Sequence, residues 1–336
     1  MKIIIAAAGS GGHIIPAQAF AEELTGHSIC FLGHNLSQNP CFDKTRWDYV
    51  DIPAAPPSLK RGPQFLYAML LGLKKSWNLL GDASLVIGFG SYHTVPVLST
   101  ALFRRIPFIL YEANALPGKV IRLFSPYAQW TGCYFKEAAK YLKGTIKPVS
   151  HPLRSCLSCF PSKEEARDYF GLPKSGKTIL VMGGSQGAAL FSSLIPKAIQ
   201  EIEPKPSVIH LSGYKSDPPN YDGIEAHIKP FEENMAFAYS AADAVISRAG
   251  ASSISEIEAA QKRALFIPFA RAADNHQKIN AQVALSRGDH LLIEEHEANP
   301  KTIANALSTL LFEETRKRKP YEPNQRLSSL VFESLL

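Results

Sequence analysis

Met1-Lys2-Ile3-Ile4-Ile5-Ala6-Ala7-Ala8-Gly9-Ser10-Gly11-Gly12-His13 opens the chain. A short apolar, β-branched run that stops at a glycine cluster reads as a buried strand turning into a helix. Glycines let the backbone turn tightly and let a ligand approach it closely. The free N–H groups and dipole of the following helix then favour an anion such as a diphosphate. That helix is expected from Pro16 to Leu24, with the proline in its first turn. The arrangement returns in the second half, where Thr178-Ile179-Leu180-Val181-Met182 runs into Gly183-Gly184-Ser185-Gln186-Gly187. A third loop, Gly88-Phe89-Gly90-Ser91, follows Leu85-Val86-Ile87. One such loop could be a tight turn and nothing more. Three of them, each after a strand, argue for phosphate binding.

Working outward, Ile29–Leu32 and Phe108–Leu110 complete a first set of buried strands. Val208–Leu211, Ala244–Ile246 and Ala264–Ile267 complete a second. Helical patterns lie between them near Ala188–Ile202, Asn234–Ala241, Ser255–Ala260, His276–Arg287 and Thr302–Phe312. Strand–helix alternation of this kind makes right-handed crossovers and doubly wound parallel sheets. The pattern breaks at Ser150–Ser162, where Pro, Ser and Cys interrupt the periodicity. The fold class expected is α/β, with two Rossmann-like domains facing a cleft: residues 1–155, then 156–320. A segment over 321–336 could pack back on the first domain.

The chain's 336 residues suit two domains at roughly 150 residues each. Its 46% apolar and 20% charged residues place it with globular proteins rather than disordered ones. No apolar run reaches the roughly 18 residues that a bilayer requires. The N-terminus reads as a strand and not as a signal peptide. The five cysteines are therefore expected to be reduced thiols. Cys156-Leu157-Ser158-Cys159 has no second pair to make a zinc site and is read as coincidence. A net charge of +6 favours anionic ligands. Arg316-Lys317-Arg318-Lys319 is read as a solvated surface.

Spacing weighs against two common phosphate sites. A dinucleotide fingerprint would need glycine at position 14, which is Ile14, and an acid ending the second strand, which ends Leu32-Gly33-His34. A P-loop would need lysine after Gly187, where Ala188-Ala189 stands.

The residues carry a family resemblance. Ala8-Gly9-Ser10-Gly11-Gly12-His13-Ile14-Ile15-Pro16-Ala17 resembles the opening loop of the MurG family. These enzymes are UDP-N-acetylglucosamine:undecaprenyl-pyrophosphoryl-muramoyl-pentapeptide N-acetylglucosaminyltransferases. Gly183–Ala188 is similar to the family's C-domain loop, Ser247–Glu256 to its nucleotide-binding segment, and Ala273–Gln277 with Asn280-Ala281 to its donor-sugar segment. Pro107–Gly118 and His151-Pro152-Leu153-Arg154 match as well. The ordered set spans positions 2 to about 293. It implies a glycosyltransferase B fold, inversion at the sugar's anomeric carbon, and no cofactor. Four departures stand out. Ala8 replaces a glycine, Tyr111-Glu112-Ala113-Asn114 replaces His-Glu-Gln-Asn, and Ser150-His151 replaces Gly-Asn. His34-Asn35-Leu36-Ser37 stands where the family often has an acidic cluster.

The reaction needs a base for the acceptor hydroxyl. His13, at the end of the first loop, suits it, since histidine titrates near neutrality. The plainer role is a local hydrogen bond at a helix start. The departing UDP would meet the N–H groups of Ser185-Gln186-Gly187. Ser10-Gly11-Gly12 would receive a substrate diphosphate, that of the acceptor, in the same way. Arg154 could pair with phosphate or stay a surface arginine. By resemblance, Ala251, Ser252 and Ser253 belong to the nucleotide segment and Glu256 holds the ribose hydroxyls. Ser253-Ile254-Ser255-Glu256 also reads as a capping box. His276 and Gln277 would offer groups to the sugar or serve as a helix cap. Asn114 would touch the acetamido sugar or merely form a turn.

No Asp-x-Asp follows a strand, so no metal site is expected. Phe65–Trp77 is apolar and then basic. It reads either as a helix in the membrane interface or as a buried helix of the first domain. The expected partners are UDP-N-acetylglucosamine, the undecaprenyl-linked muramoyl-pentapeptide and an anionic membrane surface, with no nucleic acid. The expected location is the cytoplasmic face of the inner membrane, held peripherally. Another UDP-sugar glycolipid transferase of this fold, or a nucleotide-sugar-binding protein without turnover, are the alternatives.

Overall fold

The computed structural model describes residues 1–55, 62–184, 187–214, 217–270, 275–314 and 324–335. The chain divides into two units. The first is Met1–Arg154 with Pro323–Leu336, and the second is Ser155–Glu322.

The first unit runs β1 (Lys2–Ala6), α1 (Gly11–Glu23), β2 (Ser28–Gly33), β3 (Asp48–Asp51), α2 (Gly62–Leu79), β4 (Leu85–Gly88), α3 (Val95–Phe103), β5 (Phe108–Glu112), α4 (Lys119–Phe124), β6 (Thr131–Cys133) and β7 (Ile146–Pro148). The strands form one parallel sheet in the order β3-β2-β1-β4-β5-β6-β7. Its central strands are buried on both faces, as apolar runs in a parallel sheet must be. Ile4, Leu32, Val86, Leu98 and Leu110 are part of the core on one side.

The second unit runs α5 (Lys163–Tyr169), β8 (Thr178–Met182), α6 (Ala189–Gln200), β9 (Ser207–Leu211), β10 (Ala226–Lys229), α7 (Met235–Ala241), β11 (Ala244–Ser247), α8 (Ala251–Ala259), β12 (Arg263–Phe266), α9 (His276–Arg287), β13 (Leu291–Leu292) and α10 (Pro300–Phe312). Its parallel sheet has the order β10-β9-β8-β11-β12-β13. Phe191, Ile195, Ile246, Leu265 and Leu307 lie in its core. The chain then ends in α11 (Leu327–Leu335), which belongs to the first unit. There Trp130 Nε1 donates to Ser334 Oγ at 2.9 Å, and His27 stacks on Phe332.

One local expectation needs correcting, and the structure bears on two readings left open. The first helix begins at Gly11, five residues before Pro16. The N–H groups of His13 and Ile14 already bond to the Ser10 carbonyl, so the glycines lie within its first turn. Pro16 sits inside the helix, where it removes one donor that would have met the Gly12 carbonyl. The capping box over Ser253–Glu256 does not form. Gly250 is the N-cap of α8, and Ile254 N bonds to its carbonyl at 3.0 Å. Glu256 therefore lies inside the helix, past its first turn. Finally, α2 is not a buried helix. Leu66, Leu70 and Trp77 are 58%, 56% and 50% exposed. It docks through Gly72, where a Cβ would lie 2.1 Å from the Pro53 carbonyl and within 3 Å of Pro96 on α3.

Candidate functional site

In a parallel sheet, ligands gather outside the carboxyl ends of the strands, where crossovers change direction. In the first unit that place lies beyond β1 and its neighbours β2 and β4. Gly9 follows β1 at φ +94° and Gly90 follows β4 at φ +84°, conformations that suit glycine alone. Asn39 Nδ2 donates to the Gly9 carbonyl at 2.8 Å and pins the first loop.

His13, on the first turn of α1, packs its ring against Gly90. Its Nδ1 lies 2.8 Å from the Phe89 carbonyl oxygen. A carbonyl can only accept, so the neutral ring carries its proton on Nδ1 and its lone pair on Nε2. The loop after β4 thus selects the tautomer. Ser10 is exposed as N-cap of α1, and its side chain makes no cap bond. Gly11 is buried and Gly12 exposed.

Two further histidines stand at the same edge. His34 follows β2 and His93 follows β4, and their rings stack at 4.9 Å with 12° between planes. His93 Nδ1 lies 3.1 Å from Ser91 Oγ. Burial, then the charges of His34 and His13, hold the His93 pKa below its usual value. Asp51, at the end of β3, accepts from Ser37 N at 3.2 Å and from its hydroxyl.

Asn114 lies past β5 in a loop organised by Glu112. Glu112 Oε1 accepts from Asn114 N at 2.8 Å and from Asn114 Nδ2 at 3.0 Å, while Oε2 accepts from Gly118 N at 2.8 Å. Burial raises the Glu112 pKa, against the pull of these N–H groups. The turn-forming role of Asn114 is therefore present in the structure. Arg154 is half-buried in the stretch after β7.

In the second unit, Gly184 and Gly187 take φ +83° and +82°, and Gly187 N bonds back to the Gly184 carbonyl at 2.9 Å. A Cβ on Gly183 would lie 2.6 Å from Ala188 N, so the loop tolerates no side chain there. Ser185 and Gln186 lie outside the described residues. Ala251, Ser252 and Ser253 form the first turn of α8. Ser252 Oγ is buried with no hydrogen-bond partner among the described residues. Glu256, 8% exposed, accepts from Tyr239 Oη at 3.0 Å. His276 and Gln277 open α9, and Gln277 Oε1 accepts from Phe269 N at 2.9 Å. A recess of about 260 Å³ lies past β9 and β10, walled by Tyr169, Tyr214, Phe231, Glu232 and Asn234 among others. Among the described residues, no group of three His, Cys, Asp or Glu side chains is placed to hold a metal ion.

Comparison with known proteins agrees with this arrangement of sheets and loops. Residues 3–132 match the glycosyltransferase family 28 N-terminal domain and residues 178–332 the family's C-terminal domain. The chain is 35% identical to a Protochlamydia amoebophila protein over 330 residues, 92% of this chain and 87% of that one. It is 33% identical to a Chlamydia pneumoniae protein, over 95% of this chain and 92% of that one. Both are named UDP-N-acetylglucosamine--N-acetylmuramyl-(pentapeptide) pyrophosphoryl-undecaprenol N-acetylglucosamine transferase. The chain belongs to the MurG family. Its fold matches the crystal structure of Acinetobacter baumannii MurG at TM-score 0.71 and 24% identity, covering 92% of this chain and 90% of that one. It also matches the calicheamicin glycosyltransferase CalG4 at TM-score 0.65 and 13% identity, covering 93% and 90%. The protein is accordingly a hexosyltransferase of the glycosyltransferase B fold.

Within the MurG family pattern, two departures of this chain meet each other. Tyr111 Oη lies 2.6 Å from His151 Nδ1, both buried. Residue reading passed over this pair, as it did the Tyr239–Glu256 bond and the His34–His93 stack. The available signal for the stack was one histidine beyond each of three strands.

Proposed function

We propose that this chain transfers N-acetylglucosamine from UDP-N-acetylglucosamine to the undecaprenyl-pyrophosphoryl-muramoyl-pentapeptide, the lipid I to lipid II step of peptidoglycan synthesis. Relatives matched over nearly the whole chain bear that activity in their names. The observation that carries the reading at atomic level is His13, whose tautomer leaves Nε2 able to take a proton.

The acceptor hydroxyl gives its proton to His13 Nε2 as its oxygen attacks C1 of the donor sugar. The bond from C1 to the β-phosphate oxygen breaks, UDP leaves with the electron pair, and the anomeric centre inverts. The N-terminal turn of α1, with Ser10, Gly11 and Gly12, faces the acceptor's diphosphate. The loop Gly183–Gly187 and the first turn of α6 stabilise the charge appearing on UDP. Glu256 holds the ribose hydroxyls, with Tyr239 fixing its carboxylate. Ser252 and Ser253 add hydroxyls beside it, and the recess at Tyr214 and Phe231 is shaped for an aromatic base. His276 and Gln277 meet the donor sugar, Arg154 a phosphate, and Asn114 the acetamido sugar from a loop already held by Glu112.

The acceptor's lipid stays in a bilayer, so the enzyme must come to it. No helix among the described residues is long and apolar enough to cross a membrane. The exposed side of α2, with Leu66, Leu70 and Trp77, and the nearby Phe103 offer apolar side chains, while Lys74 and Lys75 are exposed on the same helix. We assign this face to peripheral docking on an anionic membrane at its cytoplasmic side. The other flanking cations, Lys60 and Arg61, lie outside the described residues.

The test is transfer of labelled N-acetylglucosamine from its UDP donor to a short-chain lipid acceptor. A lipid-linked disaccharide with inverted anomeric configuration is expected. Tight UDP-N-acetylglucosamine binding with no transfer would make the chain a binding protein instead. Transfer only to other glycolipids would change the acceptor.

A further inference from the structure

The sheet order β2-β1-β4 places three adjacent strands side by side, and each sends one histidine from its carboxyl end. His34 follows β2, His13 follows β1 and His93 follows β4. They share one small space. A Cβ built on Gly9 would lie 3.9 Å from His13 Cδ2, 3.9 Å from His93 Nδ1 and 3.2 Å from Ser91 Oγ. One loop serves both sides, since Phe89 holds His13 through its carbonyl and Ser91 holds His93 through its hydroxyl. Ser91 sits at φ +73°, ψ 142°, which residues with side chains rarely adopt. Such outliers collect where a site needs a particular geometry.

His13 already has a task, and His34 and His93 have none in it. We propose that His34 and His93 form a stacked imidazole pair that grips the acceptor's diphosphate and takes up a proton from solvent as that group binds. This rests on the acceptor reading above. The pair lies against the helix start that faces the diphosphate, so it adds side-chain charge where the backbone supplies only partial charge. The groups around it explain why the proton waits for the ligand. His93 faces His34 across the stack, His13 from α1, and the neutral Ser91 hydroxyl. From β3, Asp51 is engaged by Ser37. Burial and two neighbouring imidazoles disfavour a charge on His93. An arriving diphosphate reverses that balance, so His93 holds a proton more readily with ligand than without. Affinity for the anion must therefore rise as pH falls through the ligand-bound pKa.

The experiment uses the full chain as wild type, His34→Asn and His93→Asn, each checked for folding by circular dichroism. Steady-state rates are measured from pH 8 to pH 6, and inorganic pyrophosphate binding is measured by calorimetry in two buffers of different ionisation heat. In each variant the acceptor KM should rise about tenfold, the worth of one charge-assisted hydrogen bond. The kcat and the donor KM should stay within a few-fold. Wild-type acceptor KM should fall as pH falls, and the variants should lose that slope. Pyrophosphate binding should take up protons in wild type and not in the variants. A fall in kcat with acceptor KM unchanged would overturn the proposal, because the pair would then serve the chemistry. Pyrophosphate binding without proton uptake, or undiminished in both variants, would overturn it too. If wild type transfers nothing to the lipid acceptor, the reaction assignment fails, and the pyrophosphate measurements still judge the pair. Should His93→Asn unfold, His34→Asn decides alone.

Discussion

Acid should loosen the first unit in large part through the ring of His151. The residue is 5% exposed, and burial holds its pKa down to about 3, against 6.5 for an ordinary histidine. In the folded state the ring thus stays neutral as pH falls, while in the unfolded chain it takes up a proton below about 6.5. The folded pKa is the lower one, so the stability tied to His151 is whole above pH 6.5. It is lost progressively as pH falls from there toward 3. Between pH 7 and pH 5 the unfolded ring gains about 1.5 pH units of protonation free energy and the folded ring gains none. At about 1.4 kcal/mol per unit, the loss is about 2 kcal/mol. For a unit of this size that corresponds to about 4–8 °C in Tm. The assay is thermal unfolding at pH 7 and pH 5 for wild type and His151→Asn. Asparagine does not titrate, so the variant's acid-induced loss should be smaller by about 2 kcal/mol. Other titrating groups cancel in the difference, including His210, which burial beside Tyr221 brings to about 4. Equal losses in both proteins would refute the reasoning. So would a His151 ring titrating near pH 6.5 by NMR in the folded protein.

Three further outcomes follow from the site. His13→Ala should lower turnover by roughly 10² to 10⁴ and leave the donor KM nearly unchanged; a loss of only a few-fold would exclude it as the base. Glu256→Gln should raise the donor KM about 10- to 100-fold, the cost of charge-assisted hydrogen bonds, with acceptor KM unchanged and Tyr239→Phe giving a smaller effect. An acceptor KM that moved instead would place Glu256 on the other substrate. Leu70→Glu and Lys74→Glu/Lys75→Glu should stay folded and co-sediment less with anionic vesicles, and wild-type binding should weaken with salt. Undiminished sedimentation of Leu70→Glu would move the docking face away from α2.

The strands that could be read from sequence are those with apolar runs buried on both faces, such as Ile3–Ile5, Leu85–Ile87 and Ile179–Met182. The strands that escaped lie toward the margins of the sheets. Asp48–Asp51 and Ala226–Lys229 carry charges and are partly exposed, while Leu291–Leu292 is too short for a period to show. At α1 and α8 the helix starts were misplaced for one reason. Gly11-Gly12 and Gly250-Ala251 look like loop, and only the backbone bonds to Ser10 and Gly250 reveal the turns they make. The two-sheet α/β architecture was legible because buried parallel strands tolerate little else. The helix ends at Ala241, Arg287 and Phe312 were legible too, whereas the glycine-led starts of α1 and α8 were not.

Side-chain partners are harder still, because no spacing rule connects residues brought together by crossover loops. Tyr111 and His151, 40 positions apart, each read as a separate departure from the family pattern. In the structure they are two halves of one bond, and each gives the other's buried polar atom a partner. Replacing either half alone would remove this buried bond, so the two depend on each other. The same argument applies to His34. Read alone, it marks a missing acid after β2, yet in space it stacks on His93, beyond the other neighbour of β1. An acid at position 34 would place a negative charge against the loop expected to receive a diphosphate, whereas the imidazole of His34 brings none. The exchange therefore changes what the edge of the sheet can attract, and that consequence becomes visible only once the strand order is known.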